Sequence, residues 1–171
     1  MVLFDASFLI LTFDEQAVEK HGTPRLKERM DVLLSDLSKA RTRIIIPTPA
    51  LSEFLTRVDV AILQTINATS AFQVVSFDER AAIEAAEMTK NAIRESDKKD
   101  PVVAATWSKI KFDRQIVAIG KVAGVEAIYS TDPDIVKHAE KVGLRCLGIA
   151  DLPLPPTIQE SLPGFESPSN T

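Results

Sequence analysis

The sequence has one cysteine, two histidines and no apolar run long enough to cross a membrane. Cys146 has no second thiol for an internal disulfide, and with His21 and His138 it does not form the ligand cluster that zinc requires. The apolar stretch near the start is interrupted by Asp5 and ends at Asp14, and no basic segment precedes it as in a signal peptide. We therefore expect a cytoplasmic protein with no membrane contact, a small core residue at position 146, and both histidines at the surface.

The sequence also lacks an excess of positive charge and is poor in aromatic residues. The formal net charge is −4, which argues against a general surface for polyanions. Aromatic residues make up 6%, and Trp107 and Tyr129 alone combine a ring with a polar handle. No base-stacking platform is evident, so any contact with nucleic acid must be local or bridged by metal ions.

The chain is long enough for one domain with a sizeable core. It has 171 residues, of which 45% are hydrophobic. From Asp151 onward the sequence becomes rich in proline and serine, which is typical of a segment without a fold of its own. We predict a domain over residues 1–150 and a tail over 151–171.

Short apolar runs alternate with amphipathic segments along the domain. The runs predict buried strands at 2–4, 43–47, 72–77, 126–130 and 145–149. The amphipathic segments predict helices at 7–13, 25–40, 49–55, 60–69, 79–94, 102–124 and 133–142. Thr48 and Asp78 are the predicted N-caps of two of them, and Gly124 and Gly143 are predicted to end two others. We predict an α/β fold, a three-layer α/β/α sandwich with a mostly parallel sheet of four to five strands.

Asp5 stands at the end of the first predicted strand. The carboxyl end of a strand in a parallel sheet is where ligands bind, which favours a role in an active site. Aspartate is also a favoured N-cap, and a helix is predicted to begin near Ser7. Asp5 by itself does not decide between the two roles.

Three further acids occupy similar places. Glu53 follows the second strand by about one helical turn, Asp113 lies on the apolar face of its helix, and Asp132 directly follows the fourth strand. Two of them also have a simpler explanation, since Glu53 can pair with Arg57 and Asp132 before Pro133 can cap a helix. Asp113 is costly on a buried face unless it is paired, hydrogen-bonded or bound to a metal. Together with Asp5 they predict a converging cluster of carboxylates, the hard oxygen ligands that Mg²⁺ or Mn²⁺ prefers.

Four short motifs occur in an order that resembles a PIN domain, the ribonuclease fold of many toxins of toxin–antitoxin pairs. They are Asp-Ala-Ser at 5–7, Leu-Ser-Glu-Phe at 51–54, Phe-Asp-Arg-Gln-Ile-Val-Ala at 112–118 and Tyr-Ser-Thr-Asp-Pro-Asp-Ile at 129–135. The resemblance covers about Val2 to Ile149. The chain departs from it at Ala6, where many members have threonine, at Ile135, where many have phenylalanine, and in the loop at 22–24 and the tail.

The resemblance implies roles for particular residues. Asp5, Glu53, Asp113 and Asp132 would be the catalytic acids that bind one or two Mg²⁺ or Mn²⁺ ions. Ser7 and Ser130 match the hydroxyl positions beside the first and fourth acids, and Asp134 is an auxiliary acid. Arg57, Lys109, Lys111 and Arg114 are near these acids in sequence and are candidates for phosphate contacts, with ordinary solvated side chains as the alternative.

The implied activity is metal-dependent hydrolysis of phosphodiester bonds in single-stranded or structured RNA. The implied partners are an RNA substrate, an antitoxin protein and a second copy of the chain, because small PIN proteins usually pair through their helices. The alternatives are an inactive dimerisation or scaffold module and a nuclease that acts on DNA. Two other families fit less well. A haloacid-dehalogenase-type phosphatase would need a second aspartate where Ser7 stands. A response-regulator receiver using Asp78 would need an acidic pair after the first strand and a lysine before a late proline, and both are missing.

Overall fold

Five parallel strands form the central sheet in the part of the chain that the structure describes. The structure is a computed structural model that describes residues 1–96 and 104–154, with side chains described for 1–94 and 112–154. The strands are β1 (Val2–Phe4), β2 (Ile44–Pro47), β3 (Phe72–Val75), β4 (Ala127–Tyr129) and β5 (Arg145–Leu147). They lie in the order β3-β2-β1-β4-β5, and each neighbouring pair is parallel.

The central strands β1 and β2 are short and consist almost entirely of apolar residues. Val2 lies opposite Ile44 of β2 on one side and opposite Ala127 of β4 on the other. All residues of β1 and β2 are buried, as expected where helices cover both faces of a parallel sheet.

Helices cover the sheet, which confirms the predicted α/β/α sandwich. The first group is α1 (Ala6–Phe13), α2 (Glu15–Lys20), α3 (Leu26–Lys39), α4 (Thr48–Phe54) and α5 (Ile62–Ala68). The second group is α6 (Glu79–Ser96), α7 (Ala104–Ala123) and α8 (Pro133–Lys141). Helix α1 packs on α4, and α7 packs on both α6 and α8. Right-handed connections place the two groups on opposite faces of the sheet.

The strand order reverses next to β1. From β1 the chain moves to β2 and β3, and it then returns to place β4 on the other side of β1. In open parallel sheets, ligands bind at the carboxyl ends of the strands beside such a reversal. The residues after β1 and β4 therefore meet at the expected position for a site.

Helix α7 lies unusually close to the sheet at Gly120. A Cβ atom at this position would lie 3.2 Å from Leu3 Cδ1 and 3.3 Å from Val125 Cγ2, which is tighter than ordinary van der Waals contact. The helix ends as predicted at Gly124, whose φ of +67° is a conformation that favours glycine.

Several predicted boundaries were wrong. Helix α2 was not predicted, and it begins after Asp14, whose Oδ1 accepts a hydrogen bond from Ala17 N at 3.1 Å. Thr48 is not the cap of α4, because Pro47 occupies that position and Thr48 Oγ1 accepts a bond from Phe77 N at 3.2 Å. Strand β3 ends at Val75 rather than residue 77.

The end of the domain also differs from the prediction. Strand β5 ends at Leu147, and Ile149–Asp151 form a turn of 3-10 helix in place of a longer strand. Leu152 is buried, and its carbonyl oxygen accepts a hydrogen bond from Arg29 Nη1 at 3.0 Å. Residues 155–171 of the predicted tail lie outside the described residues, so the boundary after residue 150 stays a prediction.

Other expectations concern single residues. Cys146 is half-buried in β5, and burial raises the pKa of its thiol to about 11, which is consistent with an inert side chain. The Trp107 side chain lies outside the described ones. None of the described helices combines the length and apolar character needed to cross a bilayer.

Candidate metal site

Asp5 is buried where β1 meets α1. Its backbone N–H donates to the Tyr129 carbonyl oxygen at 3.2 Å, which extends the pairing of β1 with β4 by one residue. Its carboxylate Oδ1 accepts from Phe8 N at 3.0 Å and thereby caps α1. The two roles that the sequence left open are therefore compatible, since Asp5 is the helix cap and also lies at the end of the strand.

Two serine hydroxyls connect Asp5 to the segment after β4. Ser7 Oγ donates to Asp5 Oδ1 at 2.6 Å and accepts from Thr131 N at 3.0 Å. Ser130 Oγ, which is fully buried, donates to Asp5 Oδ2 at 2.5 Å and accepts from Asp132 N at 2.9 Å. Each hydroxyl thus acts once as donor and once as acceptor, which holds residues 130–132 beside Asp5.

The carboxyl group of Asp5 has a raised pKa. Burial is the main cause, because it disfavours the charged form, and the charge of Glu53 adds to the rise. The hydrogen bonds from Ser130, Ser7 and Phe8 N lower the pKa but do not outweigh burial. A negative charge on Asp5 is therefore disfavoured in the protein alone, and a nearby cation would stabilise it.

Asp113, Asp132 and Asp134 form a compact acidic cluster beside Asp5. One carboxylate oxygen from each lies within 4.8 Å of the others. Asp113 is buried on α7, with 6% of its surface exposed, whereas Asp132 and Asp134 are half-buried at the start of α8. Residues from two different helices thus bring their carboxylates to one place.

The start of α8 explains how two of these acids come together. Asp132 is the N-cap of α8, and its Oδ1 accepts a hydrogen bond from Asp134 N at 2.8 Å. Pro133 occupies the first helical position, where its missing N–H is not needed. The positive end of the helix dipole favours carboxylates at these positions.

The cluster fits a hard divalent cation. Mg²⁺ binds oxygens at about 2.0–2.1 Å, so two oxygens on opposite sides of one ion lie about 4.2 Å apart. The limit of 4.8 Å between the carboxylate oxygens exceeds this slightly, and small side-chain rotations would close the difference. Among the described residues, this cluster contains no histidine or cysteine, which favours Mg²⁺ or Mn²⁺ over zinc.

The four predicted acids do not all belong to the compact cluster. The compact group of described acids contains Asp113 and Asp132, which are two of the four predicted acids, together with Asp134, which the sequence suggested as an auxiliary residue. Asp5 is joined to this group through Ser130. Glu53 is exposed on α4, close enough for its charge to raise the pKa of Asp5. In the sequence, Asp134 could be recognised from its position two residues after Asp132, which caps α8.

The predicted phosphate contacts are not equivalent in the structure. Arg57 is exposed, and no ion pair among the described side chains joins it to Glu53. Arg114 is buried, and its Nη1 donates to Thr89 Oγ1 on α6 at 3.1 Å. The side chains of Lys109 and Lys111 lie outside the described ones.

Of the comparisons with known proteins, the one with solved structures found matches. No family model matches this sequence, and no curated protein matches it. Among solved structures that match is a chain from the crystal structure of DNA-bound VapBC from Salmonella typhimurium. That chain is 17% identical, the match covers 86% of this chain and 97% of that one, and the TM-score is 0.52. At this identity the likeness concerns the fold alone.

Proposed function

We propose, from the PIN-like fold of this chain, that the protein is a metal-dependent endoribonuclease that hydrolyses phosphodiester bonds of single-stranded or structured RNA. The likeness to a VapBC chain confirms, at the level of the fold, the resemblance drawn from the four motifs. The observation that carries the proposal is the cluster of Asp113, Asp132 and Asp134 at the carboxyl edge of the sheet. Asp5 lies beside it with its carboxylate held by two serines.

Each acid has a defined task in this proposal. Asp113, Asp132 and Asp134 would hold a Mg²⁺ or Mn²⁺ ion, with Asp5 and Glu53 available for the same ion or a second one. A bound divalent ion supplies a hydroxide from water at neutral pH and stabilises negative charge on a phosphate. Ser7 and Ser130 keep the carboxylate of Asp5 in one orientation. None of the acids needs to act as a covalent nucleophile.

Divalent ions held by these acids would allow the protein to act on a polyanion despite its net charge of −4. Clustered carboxylates repel a phosphate diester, and divalent ions held by them reverse the local potential. Arg57, Lys109 and Lys111 remain candidates for contacts with neighbouring phosphates. In the hydrolysis, a water oxygen bonds to phosphorus, the bond to the leaving oxygen breaks, and the leaving oxygen acquires a proton.

The alternative of an inactive scaffold is less well supported. Capping α1 and α8 would give Asp5 and Asp132 a use in a scaffold too. The grouping of buried Asp113 with Asp132 and Asp134 has no such structural use, and it is what favours a metal site. DNA as substrate stays an alternative, because the described acids would act on either phosphodiester.

The test of activity is cleavage of a mixed RNA pool by the purified protein with Mn²⁺. We expect cleavage that is lost with EDTA and reduced at least about 100-fold in Asp113→Asn and Asp132→Asn, since removing a metal ligand removes most of the rate enhancement. Asp78→Asn is the matched control, because Asp78 also caps a helix through Oδ1 but lies outside the cluster.

Two results would contradict the proposal. If a flap or other DNA substrate is cut while the RNA pool stays intact, the substrate class is wrong. If neither is cut with Mn²⁺ or Mg²⁺ by folded protein, the scaffold is favoured.

The partners and location are proposals of the same kind. One similar solved structure is of DNA-bound VapBC. The PIN resemblance implies an antitoxin for this chain, and a small adjacent reading frame would be its clearest sign. We also propose a cytoplasmic homodimer. Light scattering tests the dimer, and a monomer mass at every concentration would refute it.

A further inference from the structure

A cavity whose lining includes four basic side chains lies between α6, α7 and α8. Its volume is about 520 Å³, within the range of sites that hold small ligands. Its charged and titratable walls come from all three helices: Glu84, Arg94, Arg114, Lys121, His138 and Lys141. The sequence placed His138 at the surface, but it is half-buried and faces this cavity.

The cavity has an excess of positive charge in a protein whose net charge is −4. Glu84 is the one carboxylate among the described residues that line it, and it is paired with Lys121 Nζ at 2.7 Å. Arg94 and Arg114 take part in none of the ion pairs between described side chains, so their charges come in addition to this pair. An anion is therefore the ligand that the lining favours.

Arg114 forms the buried part of the lining. It is 6% exposed, and Thr89 Oγ1 accepts one of the five N–H donors of its guanidinium at 3.1 Å. Among the ion pairs between described side chains, none involves Arg114. A buried guanidinium presents planar, paired donors that match the oxygens of a phosphate better than an exposed lysine does.

The cavity borders the acidic cluster through two helices. His138 follows Asp134 by one turn of α8, a rise of about 5.4 Å, so the two side chains share a face of the helix. Arg114 directly follows Asp113 on α7. The His138 ring therefore lines the cavity from the same face of α8 that carries Asp134.

We propose that this cavity binds a phosphate group, namely a backbone phosphate of the polynucleotide whose neighbouring phosphodiester lies at the acidic cluster. The inference rests on the proposed nuclease function for the identity of the ligand. Its basis is the buried Arg114, the flanking cations Arg94 and Lys141, and the single helical turn between His138 and Asp134. The cavity would hold the strand by a phosphate next to the one that is cleaved.

Binding of inorganic phosphate can be followed at the two histidine rings. The chain contains two histidines, so ¹⁵N side-chain spectra resolve His138 and use the exposed His21 as an internal reference. The titration is done at constant pH and ionic strength with EDTA, which excludes metal ions from the acidic cluster. We expect phosphate to shift the His138 signals and to leave those of His21 in place. No shift of His138 at concentrations that saturate millimolar binding would overturn the proposal.

Two double variants distinguish phosphate binding in the cavity from a general effect of the protein's net charge. Arg94→Gln with Lys141→Gln removes two cations from the lining, and we expect phosphate affinity to fall at least about tenfold. Lys90→Gln with Lys137→Gln removes the same charge from α6 and α8 outside the lining and should leave affinity unchanged. Equal losses in both double variants would overturn the proposal, because binding would then depend on net charge. Arg114 is left intact because it is buried and its loss can affect folding.

A short single-stranded RNA and a nucleoside monophosphate distinguish the sources of the phosphate. We expect the RNA, added with EDTA, to shift the same His138 signals and to compete with inorganic phosphate. If the monophosphate shifts them and the RNA does not, the cavity takes a free phosphate compound and the polynucleotide is the wrong ligand. If His138 responds to RNA but no cleavage occurs with Mn²⁺, the proposed nuclease function fails while the phosphate site stands.

Discussion

Asp113→Asn should cost more stability in the presence of a divalent ion than in its absence. Without an ion, the carboxylates of Asp113, Asp132 and Asp134 repel one another within 4.8 Å. At that distance two unit charges interact by about 3 kcal/mol at an effective dielectric constant of about 20, and less where solvent reaches the group. In the metal-free protein, relief of this repulsion should offset about 1–3 kcal/mol of the stability that Asp113→Asn costs through its other contacts.

An added ion should stabilise the wild type and not the variant. A ligand present at about 100 times its Kd adds about 2.7 kcal/mol to the free energy of unfolding. For a chain of this length, 1 kcal/mol raises the Tm by about 2–4 °C, so Mn²⁺ should raise the wild-type Tm by about 5–11 °C. In Asp113→Asn the rise should be absent or much smaller, since the variant has lost one of three clustered ligands.

Differential scanning calorimetry with EDTA and with Mn²⁺ measures both effects. Asp78→Asn is the control, because Asp78 Oδ1 caps α6 by accepting from Ala81 N at 2.9 Å and asparagine caps equally well. This control should keep the full response to Mn²⁺. The reasoning is refuted if the Tm of Asp113→Asn rises with Mn²⁺ as much as the Tm of the wild type.

Three further predictions concern the groups around the cluster. In EDTA, the raised pKa of Asp5 means that the folded state holds the proton of this carboxyl more tightly than the unfolded state does. The contribution of Asp5 to stability is therefore present below pH 3.8 and is lost as the pH rises through the raised pKa. Urea titrations over that range should show the loss in the wild type and not in Asp5→Asn; parallel pH profiles would contradict the assignment. Ser130→Ala should destabilise the protein by about 1–3 kcal/mol and raise the pKa of Asp5 further, because Oδ2 loses its buried donor, and carboxyl ¹³C NMR measures this pKa. Ser70→Ala is an exposed serine control, and an unchanged Asp5 pKa in Ser130→Ala would argue against the hydrogen bond. Gly120→Val should destabilise the protein by about 1–3 kcal/mol in urea unfolding because its side chain would overlap Leu3, and a neutral result would mean that α7 can move away from β1.

Much of the fold was predictable because its signals are local. Runs such as Ile44–Ile46 are too short for helices and fit buried parallel strands, and Gly124 ends α7 with a positive φ that other residues rarely adopt. Helix α2 was missed because it has six residues and buries none of them, so no apolar periodicity marks it.

The acids were also recognisable one by one, and the positions of Asp113 and Asp132 in the sequence indicated a shared site. Their grouping was not predictable, because the distance between carboxylates depends on how α7 packs on α8. This packing brings Asp134 into the compact cluster of described acids and leaves Glu53 as an exposed neighbour of Asp5.

The sequence by itself determined the succession of strands and helices along the chain, apart from the short helix α2, and the presence of acids after β1 and β4, since both depend on neighbours along the chain. The tertiary structure alone decided that Ser130 would connect Asp5 to Asp132, and that Arg114 and His138 would line a cavity on three helices. The physical reason is that hydrogen bonds and electrostatic fields act over a few ångströms in space, whatever the separation of the residues in the chain.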